Sequence, residues 1–275
     1  MSVDFKRAYQ AAALLPVLRG IRNDRRPPPG PHCNMYVGGT DGVELFCTVL
    51  GSDPRRAVVV AHPAVVGSSH SQVVALAEEL SRSFTVITFD FRGHGRSTGR
   101  CPLGFGKVSE DLEAVLARVR RMGFEKVAVS GFSLGAAAAF VAGARGVPFD
   151  ALVSIGCPPV FPEIAPWAAG HPRLVRSGLR LMGMRADASP DGGPTPLDVA
   201  PDVPPVPKIL YFGEWEVCPP EQIDVFVQRV RRPVEVVTVA GAWHADLAGR
   251  EPKVREWLER RLTPRMLGTG TDPRT

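Results

Sequence analysis

A doubly wound α/β domain with a mainly parallel sheet is predicted by three observations. Several strand-like segments are apolar at nearly every position instead of alternating. Helical stretches separate them in regular order, as burial of both sheet faces requires. A sharp turn, Gly131-Phe132-Ser133-Leu134-Gly135, joins one such strand directly to the helix after it. The chain has 275 residues, 44% hydrophobic and 22% charged, which is enough apolar material for one large core and excludes bulk disorder.

Taken in order, the chain opens with Lys6 and Arg7 before an apolar run, Ala11 to Leu18. Pro16 interrupts that run, and Arg19 to Arg26 stands where a small-residue cleavage site belongs, so the segment reads as retained and the protein as cytoplasmic. Asp4 to Leu15 is expected to form a short helix with Phe5, Ala8, Ala12 and Leu15 on one face. Residues 1–31 are read as an arm packed on its own domain, with a membrane surface or a partner as the alternative. Tyr36 to Leu50 reads as a hairpin, because Gly38-Gly39 and Asp41-Gly42 supply turn conformations. Then come strand Ala57–Ala61, helix Gln72–Arg82, strand Phe84–Phe89, helix Glu110–Met122, strand Lys126–Ser130, helix Leu134–Ala144 and strand Ala151–Ile155. After an interruption the order resumes with strand Lys208–Phe212, helix Pro220–Val230, strand Val234–Val239 and helix Lys253–Leu262. The core is thus expected over 32–156 and 206–262.

The interruption, residues 157–205, holds 11 of the 27 prolines and reads as a lid insertion. Leu174 to Met184 is its helical part, and Asp187 to Pro205 is either a cap or a surface excursion. The tail 263–275 is expected to be disordered.

Lys and Arg exceed Asp and Glu by five, but the excess lies at the two ends of the chain and leaves the middle slightly acidic. Nucleic-acid binders concentrate positive charge on a folded surface with interleaved aromatics, so that class is set aside. No stretch has the length of a membrane span. Cysteines 33, 47, 101, 157 and 218 are odd in number and scattered, giving neither a disulfide framework nor a metal site. No cofactor is expected.

The chemistry concentrates at the Gly131–Gly135 turn. Flanking glycines allow close backbone crossing, the strained turn exposes the Ser133 hydroxyl, and the helix N-terminus behind it favours a developing negative charge. In motif and order, residues 36–262 resemble the α/β-hydrolase superfamily, with Gly131–Gly135 as its nucleophile elbow. That resemblance implies a nucleophile–acid–histidine order. Gly213-Glu214-Trp215-Glu216 is similar to the family's acid turn, with Glu216 in the acid position and Glu214 as the alternative. Gly241-Ala242-Trp243-His244 is similar to its histidine loop. A serine hydroxyl needs a base to remove its proton, and the imidazole needs a carboxylate to hold its tautomer, which gives Ser133, His244 and Glu216 their expected roles.

By the same resemblance the oxyanion donors are the amides of Leu134 and Ala64. Pro63 replaces the more usual glycine after His62 and has no N–H to give. His62 is expected to be structural or at the pocket edge. Asp90-Phe91-Arg92-Gly93-His94-Gly95-Arg96-Ser97 is similar to another family turn and is read as scaffold, with Arg92 paired to Asp90 or to carbonyls and His94 at most at the pocket rim. Val65, Phe132, Trp167, Leu179 and Met182 are the expected lining of a mainly apolar pocket. Serine as nucleophile excludes the family's aspartate-dependent dehalogenases and epoxide hydrolases. The reading is a serine hydrolase that cleaves a carboxylic ester of a small molecule through an acyl enzyme. The alternatives are a thioesterase or acyltransferase on a carrier-linked acyl group, or a hydrolase-fold binding protein without catalysis.

Overall fold

The computed structural model describes residues 26–28, 30–160, 172–181 and 184–263. The expected arm helix, Trp167, Met182 and the tail after Thr263 lie outside the described residues. The order of elements begins β1 (His32–Gly38), β2 (Glu44–Leu50), β3 (Arg56–Ala61), α1 (Ser71–Ser81), β4 (Thr85–Phe89) and β5 (Cys101–Leu103). It continues α2 (Gly106–Arg121), β6 (Lys126–Phe132), α3 (Leu134–Ala144), β7 (Ala151–Ile155), α4 (Pro172–Leu181) and β8 (Ala186–Pro190). Last come α5 (Pro196–Val199), β9 (Lys208–Trp215), α6 (Pro220–Arg229), β10 (Val234–Trp243) and α7 (Glu251–Arg261).

Eight strands form one sheet in the order β1-β2-β4-β3-β6-β7-β9-β10. The β2 strand pairs antiparallel with both β1 and β4, and every other pairing is parallel. Its central strands are covered on both sides, which explains their unbroken apolar sequences. In β3, Val58 and Val60 face one core while Ala57, Val59 and Ala61 face the other. Val73, Leu76 and Leu80 of α1 and Val254, Trp257 and Leu258 of α7 cover the first face. Leu112 and Val115 of α2, Ala136 to Phe140 of α3 and Phe226 of α6 cover the second.

One pairing was not legible beforehand. The β5 and β8 strands form a small second sheet, parallel, which ties the end of the insertion to the loop after β4. Cys101 donates its amide to Arg185 O at 2.9 Å, and Arg185 donates its own to Gly93 O at 2.7 Å. The stretch after Asp187 therefore carries regular structure, including α5, which is capped by a reciprocal pair between Thr195 and Asp198. The insertion helix begins two residues before the expected start, at Pro172, because proline suits the first turn of a helix.

Candidate active site

The parallel strands all end at one edge of the sheet, and the chemistry-bearing residues lie in the loops there. Ser133 occupies the single residue between β6 and α3, with φ 45° and ψ −105°. A left-handed backbone at a residue with a side chain costs on the order of 1–3 kcal/mol and persists only where its surroundings hold it. Here the Ser133 amide donates to Ile155 O at 2.8 Å, and its carbonyl accepts from Ala137 at 2.9 Å. The neighbouring glycines are required by space. A Cβ on Gly131 would stand 2.5 Å from the Ala136 amide nitrogen, and one on Gly135 would stand 2.4 Å from Ala61 O.

The other two groups come from adjacent strands. Glu216 directly follows β9 and His244 directly follows β10, and the two strands pair as far as Trp215 against Trp243. Gly213 lets the acid turn press on the histidine loop, since a Cβ there would meet Trp243 O at 2.4 Å. His244 Nε2 lies 2.8 Å from Ser133 Oγ, and its Nδ1 is hydrogen-bonded to Glu216 Oε2. The second Glu216 oxygen, Oε1, accepts the Gly213 amide at 2.8 Å. With a carboxylate as its partner, Nδ1 carries the ring proton, and Nε2 is left as an acceptor for the Ser133 hydroxyl. Glu214 turns elsewhere: it is exposed and accepts the Gly241 amide at 2.7 Å. The structure therefore brings Ser133, His244 and Glu216 together and leaves Glu214 out.

Leu134 is the first residue of α3, so its amide has no acceptor within the helix. Ala64 sits three residues beyond the end of β3, the strand paired with β6, and the next residue, Val65, has φ 72°. A β-branched residue in that region is a genuine outlier, so the loop is held in shape by its neighbours. Asp90 is one such neighbour, accepting the Ser68 amide at 2.7 Å and the Arg96 amide at 2.9 Å.

Two sequence expectations are corrected. Arg92 does not pair with Asp90; it clasps Asp111 of α2, 19 positions on, through Nε at 3.0 Å and Nη2 at 2.7 Å, because Asp90 is already committed to loop amides. Phe132 does not line a pocket. Side chains alternate along β6, so Phe132 falls on the α1 side with Ala128 and has no accessible surface. Val65 and Leu179 are half-buried against the other core.

His62 and His94 serve the scaffold. His62 accepts the Phe91 amide on Nε2 at 2.9 Å and donates from Nδ1 to Pro63 O at 2.7 Å. His94 donates from Nδ1 to Arg92 O at 3.0 Å, and burial pushes its pKa down to about 3, so it is neutral at working pH. Burial likewise pushes the Cys218 thiol, two residues after Glu216, up to about 12 and keeps it protonated. Among the described residues no group of three or more His, Cys, Asp or Glu side chains could hold a metal ion, and no helix is long and apolar enough to cross a membrane.

Sequence reasoning missed the Gly213 amide that holds Glu216 and the part Asp90 plays in holding the loop after β3. The only local signal for the first was the short Gly-x-x-Glu spacing.

A family model described as the alpha/beta hydrolase fold matches residues 57–179. An esterase of Pyrococcus furiosus superposes with a TM-score of 0.69 at 19% identity, covering 88% of this chain and 98% of its own. An esterase of Thermogutta terrifontis gives 0.67 at 19% identity, covering 84% of this chain and 100% of its own. In sequence, a proline iminopeptidase of Pestalotiopsis fici is 28% identical over 78 residues, a match that spans 28% of this chain and 28% of that protein. The stretch matched by the family model runs from β3 through the elbow into the insertion, and the structural likeness extends over most of both chains. The chain has the alpha/beta hydrolase fold.

Proposed function

We propose that this protein is a serine hydrolase that cleaves a carboxylic ester through an acyl enzyme. The observation that carries the reading is the continuous relay from Glu216 through His244 to Ser133, with 2.8 Å between His244 Nε2 and Ser133 Oγ. In this mechanism Ser133 Oγ attacks the ester carbonyl carbon as His244 Nε2 takes its proton. The carbonyl oxygen becomes an oxyanion held by the Leu134 and Ala64 amides. The tetrahedral adduct collapses, the alcohol leaves with the proton from His244, and Ser133 keeps the acyl group. Water, deprotonated by His244, then releases the acid and restores the hydroxyl. Glu216 holds the imidazole tautomer and offsets its positive charge in both halves.

The esterase neighbours support the ester as the substrate class. The test is hydrolysis of p-nitrophenyl acetate and p-nitrophenyl octanoate together with fluorophosphonate labelling. Turnover, with the label on Ser133 and on nothing else, is the expected result. Labelling that persists in Ser133→Ala would remove Ser133 from the mechanism.

A further inference from the structure

A cavity opens between the β1–β2 hairpin and α1 and encloses about 510 Å³. Small-molecule sites typically span roughly 300–1,000 Å³ and combine an apolar surface with a few placed polar groups. This cavity has both. Its floor is Phe46 and Leu50 of β2 with Val74 and Ala77 of α1, and Ser133, Glu216 and His244 are not among its walls.

The polar groups at its mouth are donors. The Arg96 guanidinium carbon stands over the Phe46 ring, 3.8 Å from its centroid, which holds the cation over the apolar floor. Among the described residues no carboxylate forms an ion pair with Arg96. Asn34 accepts the Thr48 hydroxyl on its carbonyl oxygen at 3.0 Å, which directs its amide protons away from that bond. The carboxylate in the wall, Asp90, already accepts two backbone amides, from Ser68 and from Arg96 itself.

We infer that this cavity is a binding site for a small amphiphilic monocarboxylate, with its apolar chain on Phe46, Leu50, Val74 and Ala77 and its carboxylate on Arg96 and Asn34. A neutral apolar molecule satisfies the floor but leaves the donors unmatched, whereas a strongly hydrated dianion gains nothing from the floor. The wall includes Gly67, Ser68 and Ser69, so the ligand rests against the same loop that carries Ala64.

The test is calorimetric titration of the full-length protein with octanoate and, separately, with octanol, which shares the chain and lacks the charge. Octanoate is expected to bind at least tenfold more tightly. Arg96→Gln should abolish that preference, and Asn34→Leu should weaken octanoate three- to tenfold; both side chains are exposed, and unchanged thermal unfolding would show both variants folded. Equal binding of octanoate by wild type and both variants would overturn the assignment, as would equal binding of octanol and octanoate. Octanoate binding that emerges only after removal of residues 1–25 would also overturn it, by identifying the chain's own N-terminal segment as the occupant. None of these readouts uses ester turnover, so the assignment stands or falls apart from the proposed hydrolase activity.

Discussion

Replacing Glu216 by glutamine keeps the shape of the candidate acid while removing its charge, and the structure determines what the new amide does. Glu216 Oε1 accepts the Gly213 amide while Oε2 faces His244 Nδ1. A glutamine that keeps its carbonyl on Gly213 must turn its NH₂ towards Nδ1. That orientation forces the ring proton onto Nε2, where the imidazole can no longer accept the Ser133 proton. Flipping the amide restores the acceptor for Nδ1–H but leaves the buried Gly213 N–H facing a donor, at about 1–3 kcal/mol. Loss of the charge opposite the imidazolium adds about 1.5–3 kcal/mol, as for hydrogen bonds to charged groups. At 1.36 kcal/mol per tenfold, kcat should fall by about 10²- to 10⁴-fold with KM little changed. The assay is steady-state hydrolysis of p-nitrophenyl octanoate by the variant and by Glu214→Gln, which should lose less than about tenfold, since its partner is the exposed turn amide of Gly241. A crippled Glu214→Gln beside a near-normal Glu216→Gln would refute the reasoning and place the acid two residues earlier.

Gly135→Ala should lower stability by about 1–3 kcal/mol or more, because its Cβ would stand 2.4 Å from Ala61 O; thermal unfolding measures it, and an unchanged midpoint would contradict the packing of the elbow. Arg92→Met strands Asp111, whose side chain is wholly buried, and should cost about 3–5 kcal/mol by denaturant unfolding, whereas the double variant with Asp111→Leu should recover much of that loss. His94 ionises only near pH 3 in the folded protein against about 6.5 when unfolded, so the unfolded state takes up the proton first. Stability should therefore fall as pH drops from about 6.5 towards 3, and His94→Phe should flatten that slope in urea titrations across the range.

What could be read from sequence tracks what is local. Helix α3 and strand β7 coincide with their expected bounds, because turn residues or the elbow stand directly outside them. Strands β6, β9 and β10 run two to four residues past theirs. Gly131, Gly213 and Gly241 look like strand ends, yet pairing with neighbouring strands carries the ladder through Gly131 and Gly213, and it resumes beyond Gly241, after a register shift, at Trp215 against Trp243. The order of Ser133, Glu216 and His244 was visible in the chain, whereas the choice between Glu214 and Glu216 depended on which way each side chain leaves the turn. Arg92 was misassigned for the same reason: its partner sits on a helix 19 residues later, a distance that no motif spans. Phe132 was lost to strand alternation, which decides its face by counting from Lys126 and not by nearness to Ser133.

The small β5–β8 sheet has a consequence for how this insertion can change over evolutionary time. Its exit is tied to the body at Arg185 and again at Asp191, whose amide donates to Leu103 O at 3.2 Å and whose carboxylate accepts the Lys107 amide at 2.9 Å. Its entrance is tied by the Leu197 amide, which donates to Pro159 O at 2.8 Å. The span from residue 160 to 184 is thus a cassette with both ends clamped. Closing a loop between fixed ends costs only about 0.6 kcal/mol more for each doubling of length. A change of length between those clamps therefore costs the strands that align Ser133, Glu216 and His244 little in closure entropy.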